Sequence, residues 1–280
     1  MAESIRFIHL TDLHVVHPDH PAPKVHSDTN ANVRAAIAQI NALAPRPAFV
    51  AVSGDLTNHG DVDSFRTLRD LMAPLAVPVL YALGNHDSRP GFYQGLLGRD
   101  DAPDAPYDHE AVIGGAHVIT LDTSRRGRIG GSLDEAQFAF LAAALDRHPG
   151  LPKLLMLHHG PSLDLDPAGE WESLRVADTL RLAEVVRDRN VAGMLSGHLH
   201  LDRVAHWHGI PVILGMSLHC ALDPLHAGDG IRMVSGTSFT LCELRPSGLT
   251  VTFAPQPSDR AERTTYTLDQ LRAHEAAMAA

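Results

Sequence analysis

The chain has 280 residues, of which 44% are apolar, and a formal charge of -10. That is enough to bury a sizeable core as one large domain. The acidic balance argues against a duplex or long single strand as partner, because such polymers are held mainly by Lys and Arg on phosphates. Cys220 and Cys242 have neither CxxC spacing nor the density of a disulfide framework, so free thiols are expected. Met1 leads into Ile5-Arg6-Phe7-Ile8 with no signal-like segment, and no apolar run is long enough to span a bilayer. The expectation is a cytoplasmic protein with no membrane partner.

In chain order, short apolar runs ending in polar or glycine residues predict strands at Ile5 to Leu10, Phe49 to Ser53, Val79 to Leu83, Val118 to Leu121, Lys153 to Leu157 and Val191 to Leu195. Helical periods lie between them. Thr29 or Asp28 caps a helix with Val33, Ile37, Ile40 and Ala44 on one face, and Asp63 caps another with Phe65, Leu68, Leu71 and Met72 inward. A third helix starts near Asp134, with Phe138, Leu141 and Leu145 in phase, and a fourth runs from about Asp178 through Leu182 and Val186. From Trp207 onward the pattern becomes strands at Val212 to Leu214, Ser238 to Leu244 and Leu249 to Phe253. An α/β fold in four layers, αββα, accommodates both halves: two mixed β-sheets packed face to face with helices outside. Residues 1–254 form the expected catalytic domain, and 255–280 a C-terminal tail whose polar, proline-bearing start leads to a short helix, Leu268 to Met278.

Five clusters of His, Asp and Asn sit at the ends of predicted strands: Asp12-Leu13-His14, Gly54-Asp55, Gly84-Asn85-His86-Asp87, His158-His159 and Gly197-His198-Leu199-His200. Carboxylate, amide oxygen and imidazole at this density suit two neighbouring divalent ions, the equipment for hydrolysing a phosphate ester. Strand ends hold such ligands rigidly while their side chains project from the sheet edge. In Gly-His-Leu-His the imidazoles are two residues apart and point to one side of an extended segment.

D-x-H, G-D, G-N-H-D, H-H-x-P and G-H-x-H in this order resemble the calcineurin-like metallophosphoesterase superfamily, over about residues 5 to 200. The resemblance implies that Asp12, His14 and His200 hold one metal and that Asn85, His158 and His198 hold the other, with Asp55 bridging them. His86 would face the phosphoryl or leaving oxygen. The cofactors would be two divalent ions or a mixed Fe/Mn/Zn-type pair. His158 directly ends the apolar strand and is the expected ligand, with His159 and Asp87 in a supporting or substrate-facing place; the reverse assignment of His158 and His159 stays open. Asp87 is expected to orient an imidazole.

Where protein phosphatases of the superfamily show G-D-x-x-D-R-G, this chain reads Gly54-Asp55-Leu56-Thr57-Asn58-His59-Gly60 and lacks the arginine that grips a monoester dianion. It also has Asn58 where purple acid phosphatases place a tyrosine ligand. Its nearest resemblance is to bacterial class III cyclic nucleotide phosphodiesterases and the related glycerophosphodiesterases, through His26-Ser27-Asp28-Thr29-Asn30, Leu121-Asp122-Thr123, Gly131-Ser132-Leu133-Asp134 and Gln137-Phe138-Ala139-Phe140-Leu141. The implied function is hydrolysis of small phosphodiesters, 3',5'-cyclic nucleotides or glycerophosphodiesters, by attack of a metal-bridging hydroxide. A broad phosphomonoesterase or a nuclease on the same site is the alternative, and a non-catalytic binding protein would be expected to have lost ligands. Asp122 reads as a turn or cap residue. His17, His20 and His26 share a proline-rich loop that either walls the pocket or is plain surface. His219, Cys220 and His226 follow the last ligand motif, near where a specificity loop could be, and Cys220 itself reads as a small buried hydrophobe. A homodimer or higher homo-oligomer stays open, with a docked or frayed C-terminal helix preferred over a dimer contact.

Overall fold

A computed structural model describes residues 4–101, 104–256 and 262–278. The chain opens with β1 (Ile5–Leu10), α1 (Thr29–Asn41), β2 (Val50–Ser53), α2 (Val62–Met72), β3 (Val79–Ala82) and the single turn α3 (Arg89–Gly91). It continues through β4 (His109–Ile113), β5 (Ala116–Leu121), α4 (Glu135–Asp146), β6 (Lys153–Leu157), α5 (Val176–Val186) and β7 (Val191–Ser196). The last part is β8 (Arg203–Trp207), β9 (Ile210–Leu214), β10 (Ala221–Leu222), β11 (Ile231–Val234), β12 (Ser238–Arg245), β13 (Gly248–Pro255), β14 (Glu262–Tyr266) and α6 (Leu268–Met278).

One sheet has the order β13-β12-β1-β2-β3 and the other β4-β5-β6-β7-β9-β8. Both are mixed: β1, β2 and β3 run parallel, as do β5, β6, β7 and β9, while the flanking strands are antiparallel. The inner faces meet through Phe7, Phe49, Ala51, Val118, Leu154, Met156, Leu195 and Ile213. On the outer faces α1 and α2 bury Val33, Ile37, Phe65 and Leu68 against the first sheet, and α4 and α5 bury Phe138, Leu141 and Leu182 against the second. The strand residues therefore alternate between an inter-sheet and a helix-facing core, which is why their sequences are apolar throughout. This is the four-layer αββα arrangement.

Several boundaries differ from expectation. Asp61 rather than Asp63 caps α2, accepting from Ser64 N at 2.9 Å, and Asp63 lies in the first turn. The fourth predicted helix begins at Val176, with Asp178 already inside it and turned to accept from Leu133 N. Ala44 lies beyond the end of α1. Asp134 caps α4 through a full capping box with Gln137. Strands β4, β8, β10, β11 and β14 were not expected; β4 and β8 are sheet edges with part-exposed faces, where apolar patterning fades. In the predicted tail, β14 pairs with β11, and α6 docks through Glu275, which accepts from Ile129 N at 2.7 Å. Residues 257–261 of that tail lie outside the described residues.

Candidate metal centre

The parallel strands of both sheets end at one rim. From the first sheet, β1 delivers Asp12 and His14, β2 delivers Asp55, and β3 leads to Asn85 and His86; from the second, β6 delivers His158 and β7 delivers His198 and His200. The loops continue the strand pairing: Asp12 N donates to Gly54 O, His14 N to Asp55 O and Gly197 N to His158 O. Five of these residues have left-handed backbone, Asp12 (φ 52°), His14 (46°), Asp55 (47°), His198 (75°) and His200 (51°). Non-glycine residues adopt that region only at a cost, and it clusters where surroundings force side chains to converge. Gly84 is needed for a different reason: a Cβ there would fall inside Asp55 Oδ1 and meet His158 Cδ2 at 2.8 Å.

The four imidazoles expected as ligands share one hydrogen-bonding pattern. His158 Nδ1 donates to Ser53 O at 2.9 Å, His200 Nδ1 to Cys220 O at 3.0 Å, His198 Nε2 to Trp171 O at 2.7 Å and His14 Nδ1 to Asn58 Oδ1 at 3.2 Å. An imidazole whose one N–H is pinned by an oxygen presents a lone pair at the other nitrogen, the arrangement typical of metal-ligating histidine. His14 Nε2 and His200 Nε2 lie 3.2 Å apart, with Asp12 Oδ1 3.3 Å from the latter. Two lone pairs at that separation repel unless a cation lies between them. His158 Nε2 and Asn85 Oδ1 are buried and, among the described residues, have no hydrogen-bond partner, an arrangement that coordination would satisfy.

Charge tells the same story. Asp12 and Asp55 are almost fully buried, and among the described residues their ion-pair partners are the imidazoles of His14, His158 and His200. Burial disfavours charge on His158, but Asp55 and Asp12 outweigh it and raise its pKa to about 9. His200 is likewise lifted well above the ordinary imidazole range, burial being overcome by Asp12. Burial works against both carboxylates too, yet His200 and His158 hold Asp12, and His158 and His86 hold Asp55, below the usual carboxylate range. Two buried carboxylates set among imidazoles make the pocket one that favours cations. The donor set of carboxylate, imidazole and amide oxygen suits divalent ions.

His159 has no lone pair to offer. Its Nε2 donates to Ile129 O at 2.8 Å and its Nδ1 accepts from Thr123 Oγ1 at 2.8 Å. It packs behind His158 and His198, with ring centroids 4.8 and 4.6 Å away. Asp87 does not orient an imidazole as expected; it accepts from the amides of Leu56, Thr57 and Gly84 and from the Thr57 hydroxyl, which ties the Asp55 loop to the Asn85 loop. Amide donors are what a carboxylate beside unpaired strand-end backbone meets first. His86 is exposed at the mouth, its Nδ1 donating to Asn58 O at 3.0 Å and its ring edge-on to His14 at 4.7 Å. Asp122 holds Arg89, Tyr107 N and Ser124 and takes no part in the cluster.

One member lies outside the predicted ligand set. His219, in the turn between β9 and β10, is buried with its ring 5.0 Å from His14 and 5.8 Å from His200. Its position after the last ligand motif marks it only as near a possible specificity loop, and the β9–β10 connection brings it back to the rim through Leu218 N on Asp12 O.

A two-sheet sandwich with a buried carboxylate and imidazole cluster at one rim defines a metal-dependent phosphoesterase. The chain belongs to the calcineurin-like phosphoesterase family, which residues 5–202 match. It is similar to a probable cyclic nucleotide phosphodiesterase of Rhodococcus erythropolis, 35% identical over 75% of this chain and 69% of the relative. It also resembles a cAMP/cGMP dual specificity phosphodiesterase of Mycobacterium tuberculosis, 31% identical over 80% of this chain and 71% of the relative. In fold it matches a dimetal phosphatase from Danio rerio with a TM-score of 0.64 at 18% identity, covering 94% of this chain and 99% of that one. No helix among the described residues is long and apolar enough to cross a membrane.

Proposed function

We propose that the protein is a binuclear metal-dependent phosphodiesterase acting on small diesters, with 3',5'-cyclic nucleotides as the first class to test and glycerophosphodiesters as the second. The observation that carries the reading is the set of four imidazoles, each pinned at one nitrogen, converging with the unpartnered Asn85 Oδ1 on two buried carboxylates. The names of the relatives supply the substrate class.

Asp12, His14 and His200 would hold one ion and Asn85, His158 and His198 the other, with Asp55 shared. When bound, the pair supplies an activated water and positive charge for the phosphoryl oxygens. Asp55 Oδ1 also accepts from His86 N at 2.8 Å, so the bridging carboxylate fixes the backbone that carries His86. With Nδ1 committed to Asn58 O, His86 would, in its doubly protonated form, use Nε2–H to give a proton to the leaving alkoxide or to stabilise its charge. Asn58 and His59 stand where monoesterases of the superfamily carry their gripping charges. Here Asn58 orients His14 and His86, and His59 Nε2 donates to Pro21 O at 3.1 Å. A diester carries one negative charge and needs fewer cationic side chains than a monoester dianion.

A panel of cyclic nucleotides, glycerophosphodiesters, nitrophenyl mono- and diesters and a labelled oligonucleotide tests the reading on metal-loaded protein. Bis(p-nitrophenyl) phosphate should be cleaved faster than the monoester, and the oligonucleotide should stay intact. A clear monoester preference would make the protein a phosphatase, and cleavage of the oligonucleotide a nuclease.

A further inference from the structure

Residues 15–28 leave the sheet rim at the ligand His14 and return to it. Val15 pairs with Thr57, and at the far end Thr29 Oγ1 donates to His14 O at 2.9 Å. The ends of this excursion therefore meet at one residue, the geometry of an Ω-loop, a form that often carries function. Pro18, Pro21 and Pro23 stiffen it. Its outer flank is fastened by His59 Nε2 on Pro21 O and by His17 N on Ser64 Oγ at 3.1 Å. Its inner flank is fastened by His219: His26 N donates to His219 Nε2 at 3.1 Å, and Ser27 Oγ donates to His219 O at 2.7 Å.

His219 is a buried imidazole outside every metal-binding motif, in the company of His14 and His200. A third imidazole there invites reading it as another ligand of the first ion. Its hydrogen bonding gives a different answer. Because Nε2 accepts a backbone N–H, that nitrogen is unprotonated and its lone pair is already used; Nδ1 faces Cys220 Sγ at 3.5 Å. The turn is held in turn by Ser217 Oγ, which accepts from the amides of both His219 and Cys220, and Cys220 O is the acceptor that orients His200.

We propose that the 15–28 loop is the wall that selects substrates by the size of their leaving group, and that His219 is the positioning residue that clamps this wall beside His14 and His86. Three of the four bonds that fasten the wall grip its main-chain atoms, Pro21 O, His17 N and His26 N, and the fourth takes Ser27 Oγ, so the wall is held chiefly by its backbone. Its outer tie, His59, follows Asn58, whose carbonyl accepts from His86 Nδ1, and its inner tie, His219, packs with its ring 5.0 Å from His14, so the wall is strung between fixed points next to both histidines. A clamped wall holds small leaving groups close to His86 and crowds large ones; an unclamped wall does neither.

The selection rests on the diesterase reading, so the test has an arm that does not use turnover. In metal-loaded protein, His219→Leu removes the acceptor, while His219→Gln supplies a side-chain carbonyl oxygen that can accept the His26 amide. Hydrogen exchange at the His26 amide should speed up roughly three- to tenfold in H219L, the worth of one hydrogen bond, and stay near the parent rate in H219Q. Both variants should keep the parent's metal content. In the kinetic arm, kcat/KM for methyl p-nitrophenyl phosphate, whose leaving group has one ring, should fall relative to methyl 4-methylumbelliferyl phosphate, whose leaving group has two fused rings and similar acidity, in H219L, and the parent ratio should return in H219Q. Where H219L does not fold, His59→Ala, at an exposed position, releases the other flank and should shift the ratio the same way. Unchanged exchange at His26 overturns the clamp, loss of metal in H219L makes His219 a ligand, and an unchanged ratio with accelerated exchange overturns size selection. A parent that turns over neither diester contradicts the diesterase reading, and size selection with it, while the exchange arm still judges the clamp.

Discussion

The two candidate ligand sets share Asp55 but are built differently. His158 and His198, in the second set, are aimed by main-chain carbonyls of Ser53 and Trp171, and His158 is fully buried. In the first set, His14 is aimed by the side chain of Asn58, and its ring meets those of His86 and His219 beside the 15–28 loop. A main-chain carbonyl such as Ser53 O at the end of β2, Trp171 O or, in the first set, the Cys220 O that aims His200 cannot change rotamer, whereas the amide side chain of Asn58 can. On the proposed function, the first set, through His14 beside His86, is where the leaving group would be handled, and the second set would hold its ion at a distance from it.

The largest effect expected is at the shared residue. Asp55→Ala takes a carboxylate from both sets and should reduce turnover to the uncatalysed background and lower bound metal, with the fold retained by circular dichroism. Parent-like metal and turnover in D55A would remove the two-metal assignment.

Next, His86→Ala should keep both ions yet lower kcat by about 10²- to 10⁴-fold, the usual worth of a positioned acid or base. The loss should be smaller for a nitrophenolate leaving group than for a ribose or glycerol alkoxide. Equal losses would point to phosphoryl binding instead of leaving-group protonation.

The adjacent histidines sharpen the contrast further. His158→Ala should abolish binding of one ion, whereas His159→Ala should keep both and cost roughly 2–3 kcal/mol of stability, because Thr123 and Ile129 O lose a buried partner. Metal analysis beside a denaturant titration separates the two, and loss of an ion in H159A alone would reverse the assignment.

pH reads the same centre without mutation. His158, raised to about 9 by Asp55 and Asp12 against the opposing effect of burial, stabilises the metal-free fold fully below pH 6.5, and that contribution is lost as pH rises through 9. His200 is shifted the same way. Asp87, raised to about 7 by burial and Asp55, adds a loss of the same sign below that value. The imidazoles of His14 and His198, lowered by burial and neighbouring histidines, lose stabilisation only on the acid side of 6.5. Metal-free Tm should therefore fall between pH 6.5 and 9 while the increment from added Mn²⁺ or Zn²⁺ grows, since ligation releases those protons. A metal increment that is flat over this window would separate the ions from His158 and His200.

The smallest effect should come from Glu275→Ala, which frees Ile129 N behind His159 and should cost about 1 kcal/mol with no change in metal content.

The rim was legible in the sequence because buried parallel strands are continuous apolar runs and their ends carry dense motifs. Ile5–Leu10 and Lys153–Leu157 coincide with the predicted strands for this reason. What escaped lies where local pattern and tertiary contact part company. Edge strands β4 and β8 carry mixed, part-exposed residues, and β14 depends on β11, distant in sequence. His219 carries no motif, and only the return of the β9–β10 turn to Asp12 brings it to the site. The role of Asp87 was misread because its nearest donors are amides of the neighbouring ligand loops, which no spacing in G-N-H-D reveals.

The most direct test of the account is a metal titration of the metal-free parent, with bound ions counted per chain and hydrolysis of bis(p-nitrophenyl) phosphate followed in parallel. The account predicts turnover that reaches its maximum at two ions per chain. Full turnover at one ion or none would contradict it.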